Sequence, residues 1–216
     1  MGSSISIQKN YEDRLAQYLV LVHAPTAHSL STKYAIYSAF LKQHETYGDD
    51  LWKADPLLYY LVTFAETDIH LACARLLENR KNSERSIFAF IDFCITNRLS
   101  INWTTGNPPE NLLFSQKQKL ENYRDTINRI LARRDKYFAH LDKQYFSAPS
   151  RIFSDYPLHE SDVIALIECI IEIFREHEKG LTPGTFSFNL SEFFVISVDN
   201  MVRNLRTGRR LNFPET

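Results

Sequence analysis

Arg134, Asp135 and His140 stand together in the run LARRDKYFAHLDK, from Leu131 to Lys143. Their types suit one chemistry in particular. Cleaving RNA without a metal needs a group that moves protons near neutral pH. It also needs a cation for the charge that builds on the phosphorane oxygens. Histidine, with an unperturbed pKa of about 6.5, does the first. The fixed fork of donors on arginine does the second. RNA supplies its own nucleophile, the 2′-OH, so no activated serine or cysteine is required.

The element that must position these residues is an amphipathic pattern starting near Ser115, where Ser115 and Gln118 read as a capping box. At about 100° per residue, Leu120, Tyr123, Ile127, Ile130, Leu131, Tyr137, Phe138 and Leu141 fall within about 60° of Arg134. Arg134 therefore occupies a place where the stripe asks for an apolar side chain. An unpaired buried charge is too costly, so its partner is either a carboxylate elsewhere in the fold or a ligand phosphate. On an ideal α-helix His140 lies about 120° around and about 9 Å along from Arg134, too far for a direct hydrogen bond. The two could bracket one phosphodiester, or two copies of the helix could pool them across a two-fold axis. Asp135, on the opposite flank, is placed to orient a guanidinium.

The same run resembles the R-[N/D/H]-x4-H motif of the HEPN superfamily, here Arg134, Asp135, four residues, and His140. RDKYFAHLDK is most similar to the subgroup named for phage abortive-infection proteins of the AbiU type. The segment from Asp68 to Phe93, DIHLACARLLENRKNSERSIFAFIDF, also resembles it. The resemblance covers roughly residues 56–145. It implies an all-α, HEPN-like up-and-down helical bundle and a metal-independent endoribonuclease. It further implies a homodimer whose two motifs face one cleft, a role as antiphage or toxin effector, and a cognate antitoxin. In that picture Arg134 stabilises the transition state, His140 is general acid or base, and Asp135 holds the arginine or the RNA. Arg133, Tyr137 and Arg75 are further candidates for RNA contact. RNA, transfer RNA included, is the implied partner. The competing reading is a non-catalytic HEPN-like module that binds nucleotides or a protein. A third is an unrelated helical scaffold.

Composition sets bounds. A chain of 216 residues, 44% hydrophobic, suits one domain with a proper core. We read a single domain over 1–216, with a motif-bearing core at about 56–145 and a C-terminal helical extension at about 159–206. The net charge of −1 gives no global pull toward nucleic acid, so an RNA contact must be local. Cys73, Cys94 and Cys169 lie far apart in apolar patterns and read as reduced core residues of a cytoplasmic protein. No apolar run spans a bilayer and no leader pattern is visible. Met1, Gly2 and Ser6 fit a crude myristoylation pattern, for which a polar N-terminal fray is the plainer reading.

Along the chain, helical patterns fall at about 8–23, 31–45, 56–78, 84–97, 115–143, 159–177 and 191–205, giving six or seven helices. Asp55-Pro56 opens the third, the most apolar and by expectation the central buried helix. Residues 144–158 read as a surface loop, and 185–188 as a short extended piece.

Other residues could do chemistry too. His23, His28, His44, His70, His159 and His177 lack zinc-ligand spacing, and neither a metal nor a cofactor is implied. No phosphate-binding glycine loop and no nucleophile elbow is present. His70 reads as a satisfied core histidine. Glu66 and Asp68 read as polar-face residues or salt-bridge partners, one of them able to meet an arginine of the motif helix. Arg203, Arg206, Arg209 and Arg210 make a basic end, either solvated or an RNA-backbone clamp.

Overall fold

The computed structural model describes residues 6–78, 85–140, 142–182 and 190–212. Among these the chain forms eleven α-helices, one 3-10 turn, one π-helical turn and no strand. The helices are α1 (Ile7–Val22), α2 (Leu30–Tyr47), α3 (Asp50–Ala54), α4 (Leu57–Leu76), α5 (Ile87–Thr96) and α6 (Glu110–Asn122). They continue with α7 (Arg124–Arg133), α8 (Lys143–Ser147), α9 (Arg151–Asp155), α10 (Glu160–Leu181) and α11 (Leu190–Asn212). The all-α bundle is the fold class expected from the periodicity.

Local sequence explains many boundaries. Ser6, Ser29 and Ser86 cap α1, α2 and α5, each side-chain oxygen accepting from the backbone N–H three residues on. Asp55 Oδ1 accepts from Leu57 N at 2.8 Å, which starts α4 beside Pro56. Gly48, at φ 54°, ends α2 in a conformation that a side chain would strain.

Two apolar clusters hold the bundle. The larger joins α1, the C-terminal half of α4, and α5, α6, α7 and α10, with Tyr11, Ile69, Phe90, Ile127 and Phe174 inside. Helix α10 thus belongs to the main core. Its Val163, Leu166, Ile167, Ile170, Ile173 and Phe174 are all buried, as their spacing predicts. The smaller cluster joins Ala39, Phe40, Leu51, Leu58, Val198 and Val202 from α2, α3, α4 and α11.

Three expectations change. Helix α5 is more enclosed than α4, with Ile87, Phe88, Phe90, Ile91 and Cys94 buried. Helix α4 is buried mainly in its second half, with Leu58 buried near its start, and Leu57, Tyr59, Tyr60 and Phe64 are more than half exposed. Residues 144–158 are not structureless, since α8 and α9 form there and bury Tyr145 and Ile152. The single long motif helix is instead α6, α7 and a π turn, and α6 begins at Glu110, upstream of the Ser115 cap. The extended piece read at 185–188 lies outside the described residues, as do Leu141 of the stripe and the first part of the myristoylation pattern.

Candidate active site

The motif sits where α7 stops being an α-helix. Tyr123, at φ −96° and ψ 15°, separates α6 from α7 and resets the helical phase. Past Arg133 the backbone widens into a π-helical turn over Arg134–Phe138, and Ala139 N donates to Arg134 O at 2.8 Å. Such single π turns occur often at functional sites. Their i−5 spacing breaks the α-helical phase from which the wheel was drawn.

The consequence is a change of occupant. The position facing inward is Arg133, only 4% exposed, and not Arg134. Arg133 Nε donates to Tyr156 O at 2.9 Å, and its guanidinium lies over the Phe153 ring, 4.9 Å from the centroid. Burial lowers its pKa, and the nearby Glu66 carboxylate opposes that shift. Together with Arg129, whose Nη1 donates to Pro157 O at 2.9 Å, it fastens residues 156–157 to α7. Arg133 is therefore a packing arginine, enclosed where surface contact with RNA was expected.

Arg134 is partly open, its side chain 21% exposed. Nη1 donates to Glu78 Oε1 at 2.7 Å and Nε donates to Asp135 Oδ1 at 2.7 Å. The bond to Asp135 contributes most to holding the guanidinium charged, with Glu78 adding to it. Among the described residues, Nη2 has no hydrogen-bond partner. Glu78 follows the end of α4, so the pair ties the motif turn to that helix. Sequence reasoning placed the possible carboxylate at Glu66 or Asp68 and missed Glu78. No sequence signal pointed to it, because Glu78 lies just past the end of α4 and meets Arg134 only through the tertiary fold.

Asp68 instead pairs with Lys33 across to α2. Glu66 feels the charge of Arg133 without a hydrogen bond to it. Arg75 is exposed and unpaired among the described residues. Tyr137 is half-buried, edge-on to Phe138 at 5.2 Å and to Phe153 at 6.2 Å. His140 lies in the turn after the π segment, exposed, with no hydrogen bond or ion pair among the described residues. The structure thus gathers Arg134, Asp135 and Glu78 into one cluster. It leaves His140 exposed in the turn that follows, without a partner among the described residues, and turns Arg133 inward.

Elsewhere, Cys73, Cys94 and Cys169 are free thiols. No group of His, Cys, Asp and Glu able to hold a metal is found among the described residues. No described helix is long and apolar enough to cross a membrane. Arg203 pairs with Asp199 at 2.7 Å and Arg206 stacks over Tyr47 at 4.4 Å, so part of the basic end is engaged within the fold.

No curated protein and no solved structure matches the chain. A family model does, that of AbiU2 among the HEPN families, over residues 13–193. That span runs well past the 56–145 segment carrying the sequence resemblance, from α1 into α11. With most of its length matched, the chain belongs to the AbiU2 family of HEPN proteins, an abortive-infection type of module.

Proposed function

We propose that this protein is a metal-independent endoribonuclease of HEPN type, acting as an antiphage or toxin effector. One observation carries the reading. Arg134 is held by Glu78 and Asp135 and partly open, its Nη2 has no hydrogen-bond partner among the described residues, and the exposed His140, likewise without one, stands in the turn that follows its π-helical segment. A guanidinium fixed in this way is ready to donate from Nη2 to a phosphoryl oxygen without first ordering itself.

In the proposed reaction the 2′-OH attacks the adjacent phosphorus. The bond to the 5′-oxygen breaks, and a 2′,3′-cyclic phosphate and a 5′-hydroxyl form. One proton leaves the 2′-OH and one reaches the departing 5′-oxygen. His140 serves as the acid or the base, and Arg134 carries the extra negative charge of the phosphorane. Asp135 and Glu78 keep Arg134 in place, and Arg75, one turn before Glu78, extends the cationic surface toward a neighbouring phosphate. Each chain offers one imidazole on this turn, whereas the reaction needs both an acid and a base. A homodimer bringing two His140 side chains to one cleft would supply both.

The test is cleavage of single-stranded or transfer RNA by purified protein in EDTA. Arg134→Ala and His140→Ala are each expected to abolish cleavage with the helical CD signal unchanged. Full activity in both variants would end the nuclease reading. The second reading, a non-catalytic nucleotide- or protein-binding module, draws on the same cluster. Two carboxylates already neutralise Arg134, so the fold does not need a phosphate there to satisfy it. Expression separates the two. A toxic wild type beside a harmless His140→Ala favours the enzyme, and equal growth favours the module.

A further inference from the structure

Asn10, Arg14, Gln17 and Leu21 recur every three or four residues, so they share one face of α1. A cavity of about 400 Å³ opens along that face, and Tyr18 and Arg85 line it too. Arg85 immediately precedes Ser86, the cap of α5, and Tyr18 Oη donates to Ser86 O at 2.9 Å. That bond ties the α1 wall to the start of α5.

Arg14 is half-buried and fixed in place. Its guanidinium carbon lies 4.6 Å from the centroid of the Phe93 ring, and Nε donates to Asn10 Oδ1 at 2.9 Å. Neither contact neutralises its charge. Nη1 and Nη2 have no hydrogen-bond partner among the described residues, and no described carboxylate pairs with them. Asp13 also lines the cavity, but Lys9 Nζ already matches it at 2.8 Å. Arg14 thus differs from Arg134, whose charge two carboxylates meet.

The set suits a ligand with an anionic group and a polar, flat body. Arg14 and Arg85 bring two guanidinium groups, the side chain best matched to phosphate, to one cavity. Asn10 has its Oδ1 engaged by Arg14 and keeps its amino group to donate, and Gln17 offers a donor and an acceptor. Leu21, 44% exposed, supplies an apolar wall. The volume lies within the range of small-molecule sites. We propose that this cavity binds a nucleotide, with its phosphate on Arg14 and Arg85 and its base against Leu21 and Gln17. The site is separate from the motif cluster and does not rest on the ribonuclease reading. Arg85 follows Glu78 by seven residues, so at most about 25 Å separates their backbones. The phosphate therefore belongs either to a free nucleotide or to an RNA strand that also reaches Arg134.

The test titrates adenosine 5′-monophosphate and adenosine into the full chain carrying Arg134→Ala, so that the motif guanidinium takes no part. Calorimetry is expected to show the monophosphate binding at least tenfold more tightly than adenosine. Adding Arg14→Gln should weaken the monophosphate at least tenfold and leave adenosine unchanged. Leu21→Glu, at an exposed position, places a carboxylate in the cavity and should weaken the monophosphate by as much. CD melts establish that both variants fold. Equal binding of monophosphate and adenosine, or undiminished binding in either folded variant, would overturn the site. A 2′-O-methyl oligoribonucleotide, which lacks the attacking 2′-OH, distinguishes the two sources. Displacement of bound monophosphate at a tenth of the concentration that free monophosphate needs assigns the site to an RNA strand. Without that gain, the site belongs to a free nucleotide.

Discussion

Arg134 Nη1 donates to Glu78 Oε1 at 2.7 Å, joining the motif turn to the end of α4. Both side chains are partly solvated, so the pair contributes only about 1 kcal/mol or less to stability. Its larger effect is on direction, since it fixes where the remaining guanidinium edge points.

Glu78→Gln separates these roles. The urea midpoint should barely move. RNA cleavage should slow roughly tenfold, against a hundredfold or more for Arg134→Ala, because a loosened guanidinium still carries its charge. Equal rates for Glu78→Gln and wild type would show that the pair does not orient Arg134.

The two adjacent arginines should behave differently. Arg133→Ala loses the bond to Tyr156 O and the contact with Phe153, and should cost about 2 kcal/mol of stability. His140→Ala touches nothing bonded and should stay within about 0.5 kcal/mol of wild type. Chemical denaturation of the two variants checks both values.

Acid should weaken the fold before its carboxylates titrate. Burial lowers the His70 pKa to about 4 and the His177 pKa to about 3. The unfolded chain therefore binds protons that the folded one refuses between about pH 6.5 and those values. The contribution of the two histidines is complete above about pH 6.5. The His70 part is lost as pH falls toward 4, and the His177 part as it falls toward 3. Each histidine adds up to about 1.4 kcal/mol per pH unit inside its window. Urea melts at pH 6 and pH 5 should show a smaller loss for His70→Gln than for wild type. Identical losses would contradict a buried neutral imidazole.

Gly180 lets α10 approach the Trp103 indole closely. A Cβ added there would fall inside the Trp103 indole, whose Nε1 donates to Tyr11 Oη at 2.9 Å. Tyr11 Oη lies 3.0 Å from His177 Nδ1, and His177 Nε2 lies 3.1 Å from Gln116 Oε1. Gly180→Ala should therefore push Trp103 out of a connected buried network and cost about 1–3 kcal/mol. A thermal melt matching wild type would show that the indole has room to move.

The sequence by itself determined the helical class, the inward faces of α1 and α10, the Asp55-Pro56 start of α4 and the Arg-Asp-x4-His run. These are set by neighbours a few residues apart, through periodicity, capping and composition. Tertiary structure decided the rest. Extrapolating one α-helical phase from Leu120 to Leu141 put Arg134 at the centre of the stripe. The break at Tyr123 and the π turn after Arg133 shifted that phase, so Arg133 took the enclosed place and Arg134 stayed half-open. The Glu78 partner was equally hidden, as was His70, expected to be a satisfied core histidine but buried without a hydrogen bond to any described residue. Each depends on which residues from distant parts of the chain meet, and a phase error of one residue is enough to exchange a buried charge for an exposed one.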